Sequence, residues 1–436
     1  MKKPLLLGFL FLLSCWYQSA AQNLYFPPLS PTASWDTISP SSLGWCTNKI
    51  SALYDYLEQQ QTKGFIVLKD GKRVLEKYFG TFTEDSSWYW ASAGKTLTAF
   101  LVGKAQEEKF LSLNDRSSKY LGAGWTNCTP SQEDKIKIIH QLTMTSGLDD
   151  GVPDHHCTIN TCLNYLAEPG TRWAYHNAPY TLLENVLENA TGKPINTYTQ
   201  EKLKQKTGIT GSWFTVGYNN VFFSRVRSMA RFGLLIQNNG IWNRDTLLFD
   251  TAYVRQMTNT SQNLNLSYGY LWWLNGKSSF MAPTLQLVFP GSYAPAAPAD
   301  MFAGLGKNGQ IVSVSKSKGL VVVRMGNQSS DDEVTFQLCN GIWQRLNDVM
   351  CQPTSVNDPD RPQKPMAIYP NPVRSEIHIG LSSADKYQIT VTDIQGKTLL
   401  QKNNQSMIDL SGLENGIYLL TIRKGGLSQT QKILKW

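Results

Sequence analysis

The sequence predicts an α+β protein: an antiparallel sheet with helices packed on it, followed by a small all-β, Ig-like sandwich. Three observations predict it. Strand-like patterns lie towards both ends of the first 355 residues, and helical patterns fill the middle. No repeated strand–helix–strand alternation occurs, which argues against an open parallel sheet. After a polar, proline-rich stretch at 356–365 the chain turns to short alternating segments punctuated by turns.

In chain order, residues 1–21 read as a signal peptide. Lys2 and Lys3 precede an apolar run at 5–13 that is too short to span a bilayer, and Ser19-Ala20-Ala21 ends in small residues, so Gln22 is the expected mature N-terminus. A lipoprotein-like Leu12-Leu13-Ser14-Cys15 is the weaker of the two cleavage signals. No other stretch reads as a membrane span. Residues 22–45, rich in Pro and Ser, are expected to wrap the surface. Apolar runs at 64–69 and 73–79 flank Asp70-Gly71-Lys72, a hairpin signal. Helical patterns dominate 92–207, and a helix at 225–238 ends at Asn239-Gly240. Strand character returns at 268–274, 310–314 and 319–325, before a last helix at 340–350. The main domain is thus expected over 22–355, a linker over 356–365 and a second domain over 366–436. In the second domain, strands fall at 377–379, 387–392 and 417–422.

The net charge of +8 is spread without a dense Lys/Arg run, so no nucleic-acid footprint is expected. The 13 tryptophans and 19 tyrosines suit a large core or an aromatic-lined cleft. Six cysteines follow the leader, an even number that suggests disulfides in an exported chain. Local pairing predicts Cys157–Cys162 and Cys339–Cys351, and leaves Cys46–Cys128 by elimination. Cys157 and Cys162 adjoin His155 and His156, but the spacing is not that of a zinc site and export favours oxidation. With neither His-Glu-x-x-His nor a phosphate-binding glycine loop, no metal or cofactor is expected.

The chemistry starts at Ser92-Ala93-Gly94-Lys95. Apolar residues at 97, 100, 101 and 105 place it at the first turn of a helix, where residues three apart share a face. The amine can then reach the hydroxyl, and a serine is a poor nucleophile until something takes its proton. The motif alone is weak, since Ser313/Lys316, Ser315/Lys318 and Ser383/Lys386 repeat it. Three downstream clusters single out Ser92: His140 to Leu148 with Leu142-Thr143-Met144-Thr145-Ser146-Gly147, then Pro169-Gly170-Thr171 leading to Tyr175-His176-Asn177, then Gly304-Leu305-Gly306-Lys307 entering the last strands. Tyr-x-Asn recurs at Tyr218/Asn220 and Tyr369/Asn371, and again only context selects Tyr175. No Gly-x-Ser-x-Gly elbow is present, which argues against an α/β-hydrolase. His176 reads as a wall residue and His140 as packed on its own helix. The aromatics at 268–273 read as core first and as an acyl pocket second.

In that order these segments resemble the serine β-lactamase-related group of class C β-lactamases, esterases and D-Ala-D-Ala peptidases, over residues about 60–345. The resemblance implies a β-lactamase/transpeptidase-like fold and assigns roles. Ser92 is the implied acyl acceptor, with Lys95 and Tyr175 as a coupled acid–base pair. Asn177 would orient Lys95 and hold a substrate carbonyl. The backbone N–H groups of Ser92 and Lys307 would form the oxyanion hole, with Gly304 and Gly306 lining the substrate. One departure matters. The family usually has Lys-Thr-Gly or His-x-Gly on the last strand, and here Gly304 takes the place of the cation or imidazole. That weakens binding of a carboxylate-bearing substrate and favours a neutral ester or amide. The expectation is a secreted serine hydrolase; a D-Ala-D-Ala carboxypeptidase or β-lactamase is the alternative, and a non-catalytic surface binder the third.

The tail resembles a type IX secretion sorting domain of type A, as in Bacteroidetes, on Ile368-Tyr369-Pro370-Asn371-Pro372-Val373, 393–397, 415–418 and 431–435. It implies passage through the periplasm, recognition by the outer-membrane translocon, and a secreted or cell-surface destination.

Overall fold

The computed structural model of the protein describes residues 24–30, 33–328 and 333–351, and in the tail 368–369, 373–379, 387–393, 396–424 and 427–435. The expected signal peptide at 1–21, the expected linker at 356–365 and residues 370–372 of the sorting motif lie outside the described residues. The chain divides into two compact units at 352/353.

Unit 1 is built on a six-stranded antiparallel sheet. The Asp-Gly signal does form a hairpin, joining β1 (Thr62–Lys69) to β2 (Lys72–Tyr78). At the other end of the unit, β4 (Phe302–Gly306), β5 (Gln310–Ser315) and β6 (Leu320–Gly326) return, and the strand β3 (Trp273–Leu274) adds to them. The order is β2-β1-β6-β5-β4-β3, so the returning chain closes against the first hairpin. Every residue of β6 is buried, as a central strand covered on both faces requires. The helix at Val226–Gln237 covers one face so closely that a Cβ at Gly233 would stand 2.5 Å from Val321 Cγ1. The last helix of the unit, Phe336–Val349, reaches the turn after β4, where its Leu338 and Arg324 of β6 both close on Gly309.

Two strand expectations change. Only Trp273–Leu274 of 268–274 is a strand, because Leu271 sits at φ 60° and Gly269 N–H turns back to Trp272 O. A hairpin of Ser212–Val216 with Asn219–Arg225, paired to Ser87–Tyr89, follows the helical middle and was not read from the sequence.

The disulfides correct two of the three expected pairs. Cys157–Cys162 forms as expected, but Cys46 pairs with Cys351, and Cys128 and Cys339 are free. The reason is the last helix, which begins at Phe336 rather than near 340. At 1.5 Å per residue, roughly 18 Å of it separates Cys339 from Cys351, beyond disulfide reach. Cys339 instead packs in the core. Cys46 N–H donates to Val349 O at 2.8 Å, which brings the chain's start to the helix end. The loop closed spans 305 residues, and such a crosslink is worth a few kcal/mol, about 2–5, to stability.

Among its described residues unit 2 holds two antiparallel sheets. One orders Ile368–Tyr369, Glu376–Ile379 and Met407–Asp409; the other orders Thr398–Asn403, Gln388–Thr392, Gly416–Lys424 and Leu427–Lys435. Ile377, Ile389, Val391, Leu420 and Ile422 form its own core, the sandwich that the alternation predicts.

Candidate functional site

Ser92 sits in a 3₁₀ turn, Ala91–Gly94, that runs directly into the helix α1 (Lys95–Glu107). Ala91 holds φ 45°, a strained backbone for a residue with a Cβ. Trp90 pins the entry: its N–H donates to Phe222 O and its indole to Ser224 Oγ at 2.7 Å. The first nine residues of α1 are buried, so the helix is central to the domain and Lys95 is buried with it.

Lys95 Nζ donates to Ser92 Oγ at 2.8 Å and to Asn177 Oδ1 at 2.7 Å. The Tyr180 and Tyr175 rings lie 4.1 and 4.9 Å from the same nitrogen. Burial without a carboxylate in contact lowers the amine to about 7, and Glu333 opposes this only from a distance. Asn177 opens the helix α2 (Asn177–Thr191), and Tyr175 precedes it in an extended segment. Tyr175 is placed by the segment read as its companion: Met144 O accepts from Ala174 N at 2.9 Å and Thr145 O from Gly170 N at 2.8 Å. Met144 adopts φ 58° and Gly147 φ 78°, where a Cβ would overlap Ala167 O. Trp273 stacks on Tyr175, and Tyr268 and Trp173 meet it at an angle. The 268–273 aromatics are therefore both core and the wall behind Tyr175. Burial raises the Tyr175 phenol well above its ordinary range, partly offset by Ser92.

Strand β4 runs past Ser92. A Cβ on Gly306 would lie 2.6 Å from Trp90 O and 2.9 Å from Ser92 N, so the strand end lies against the N–H of the serine. A Cβ on Gly304 would lie 2.9 Å from Thr96 Cγ2 and 3.0 Å from Val312 Cγ1, leaving no room for a lysine or histidine without movement. The turn carrying Lys307 is held from beneath. Arg324, fully buried, donates to Asn308 O at 2.7 Å and Gly309 O at 2.9 Å, and the Tyr89 hydroxyl accepts from Asn308 Nδ2 at 2.7 Å. Neither Arg324 nor Tyr180 stands out as a site residue in the sequence. Arg324 reads as one more strand residue until the fold shows what it faces.

The rival motifs separate in space. Ser313 and Ser315 lie on β5 and bond to Val322 O and Asp300, while Lys316 lies in the turn that follows and gives its amine to Asn239 Oδ1 at 2.6 Å. Ser383/Lys386 lies outside the described residues. His140 accepts from Lys137 N through Nδ1 at the start of its own helix. His176 is buried, held neutral by desolvation, and without a hydrogen-bond partner on either nitrogen among the described residues.

Comparison with known proteins agrees. The beta-lactamase family profile matches residues 52–337, and the secretion system C-terminal sorting domain profile matches residues 367–435. A provisionally named D-alanyl-D-alanine carboxypeptidase of Salmonella typhi is 21% identical, covering 67% of this chain and 85% of that protein. Among solved structures, a penicillin-binding protein homolog from Caulobacter crescentus superimposes with a TM-score of 0.54 at 13% identity, covering 71% of this chain and 98% of that one. A provisionally named 6-aminohexanoate-dimer hydrolase from Bacillus anthracis gives 0.56 at 17% identity, covering 74% and 89%. At these identities the structures show the shared fold. Among the described residues no helix is long and apolar enough to cross a membrane. With more than half of its length under one family profile, the chain belongs to the beta-lactamase family of serine hydrolases, and its C-terminal sorting domain sends it through type IX secretion to the cell surface or outside.

Proposed function

We propose that the protein hydrolyses a neutral ester or amide through an acyl-enzyme on Ser92. The observation that carries this is the amine of Lys95, buried, lowered to about 7 and bonded to Ser92 Oγ at 2.8 Å. When neutral it can reverse that bond and accept the serine proton. Ser92 Oγ then attacks the substrate carbonyl carbon. The oxyanion formed is received by the N–H groups of Ser92 and Lys307, one at the mouth of a helix and one on the turn that Arg324 fixes. Tyr175, which burial keeps protonated, gives its proton to the leaving oxygen or nitrogen and regains it from the Lys95 ammonium. Water enters by the same steps in reverse and frees the acid. Lys95 and Tyr175 act as one coupled pair, and Asn177 aims the amine.

The packed glycine at 304 supports a substrate without a carboxylate at that point, against a penicillin or a D-Ala-D-Ala peptide. The test is labelling of the folded protein by a fluorophosphonate and by a fluorescent penicillin, with hydrolysis of p-nitrophenyl acyl esters. Fluorophosphonate labelling and ester turnover are expected. Labelling by neither probe would defeat the enzyme reading in favour of a binder, and labelling by penicillin alone would favour the carboxypeptidase.

Gly306→Ala is expected to lower kcat for the ester by at least about a hundredfold, the scale of losing an oxyanion donor. The new methyl would wedge between the strand and the Ser92 N–H and cost about 1–3 kcal/mol of stability by overpacking. Steady-state kinetics with a thermal melt checks both.

A further inference from the structure

We propose that His155, His156 and Glu333 form a site for a divalent transition metal, with zinc as the ion their donors suit. Their ligating atoms all lie within 4.8 Å of one another, and the two imidazoles pack with centroids 4.4 Å apart. Two imidazoles and a carboxylate are a zinc donor set, and three protein donors leave a fourth position for water or an anion. Donors around tetrahedral zinc stand roughly 3.3 Å apart, given metal–ligand distances near 2 Å, so small side-chain rotations suffice.

Three details favour a metal over a plain ion pair. His155 Nε2 and Glu333 Oε1 are 2.6 Å apart, yet the contact lacks the direction a ring N–H needs to donate. Glu333 Oε2 is buried and has no hydrogen-bond partner among the described residues. Both are buried atoms that a cation between them would satisfy. His156 Nδ1 meets the Asn219 side-chain amide, with Oδ1 at 3.2 Å and Nδ2 at 3.1 Å. With that oxygen accepting from Nδ1–H, the Nε2 lone pair is left for a metal, the usual outer partner of a ligating histidine.

The backbone under the histidines is braced. The Cys157–Cys162 disulfide follows them directly, His156 N–H donates to Asp154 Oδ1 at 2.9 Å, and His155 O accepts from Ala178 N at 3.0 Å. The last bond sets the cluster beside Asn177, at the edge of the serine centre but using none of its residues. The adjacent histidines are visible in the sequence, but their cysteine neighbours point to oxidation, and the third donor, Glu333, lies far along the chain, just before the last helix.

The untagged full chain, stripped with a chelator, is titrated with zinc against a chromophoric competitor and, separately, with cobalt(II). One equivalent bound, with a cobalt spectrum of low coordination and no thiolate charge-transfer band, is expected. His155→Ala and Glu333→Gln should each weaken binding by a hundredfold or more, and Asn219→Ala by about 10–100-fold, the scale of losing an outer partner. Thermal melts of the stripped variants separate loss of a ligand from loss of the fold. Absence of stoichiometric binding by the wild type would overturn the proposal. So would binding that survives His155→Ala and Glu333→Gln together, or binding that is lost in Cys128→Ser instead.

Discussion

Replacing Ser92 by alanine is expected to lower kcat/KM for an acyl ester by at least about 10⁴-fold, while the fold stays intact. Removing a nucleophile from a unit of coupled groups costs nearly all of the unit's contribution, and what remains comes from binding and the oxyanion donors. Among the described residues the other Ser-x-x-Lys serines, Ser313 and Ser315, lie in the sheet with their own partners and are not placed to take over. The cost in stability should be small. Ser92 is only half-buried, and Lys95 keeps its bond to Asn177 Oδ1 at 2.7 Å. Intact-mass analysis after brief exposure to the ester or a fluorophosphonate should show one adduct on the wild type and none on the variant. A variant that retained activity within tenfold would mean that the acyl group is carried elsewhere or not at all.

The Ser92–Lys95 pair was legible because it needs only local geometry, two residues three apart on one helical turn. Tyr175 was legible from order along the chain, and the structure supplies the cause: the 143–147 turn bonds the extended segment that carries it. The antiparallel sheet followed from apolar runs at both ends of the domain. Partners made by distant segments were not legible. Cys46 meets Cys351 because a turn near the start docks on the end of the last helix, and nothing local to either cysteine records that. Arg324 holds the Lys307 turn from a strand whose other residues are apolar, so its role is visible only when β5 and β6 lie side by side. The strand expected at 268–274 failed on backbone geometry, since a left-handed Leu271 has no signature comparable to a glycine.

Lys95 should set both the pH profile of the reaction and a pH-dependent cost to the fold. With the amine at about 7, kcat/KM is expected to rise about tenfold per pH unit below that value and to level above it, because only the neutral amine can take the serine proton. The groups facing Lys95 are Ser92, Asn177, and the rings of Tyr175 and Tyr180, with Glu333 more distant. Lys95→Arg, whose guanidinium stays charged, should be inactive at every pH. The same burial destabilises the native state. Between about pH 7 and the ordinary lysine value of 10.5 the unfolded chain binds the extra proton, so stability rises with pH through that window. Below pH 7 both states are protonated and the whole penalty is present, at most about 5 kcal/mol from the size of the shift. Lys95→Met removes that penalty and leaves Asn177 Oδ1 unpaired, which costs about 1–3 kcal/mol in return. The inactive methionine variant should therefore melt above the wild type at pH 6, and the gap should close as the pH approaches 10. Parallel melts across that range check the sign. A wild type that melts higher than Lys95→Met at pH 6 would show that the amine is not desolvated, and with it the case for a neutral base at Ser92 would fail.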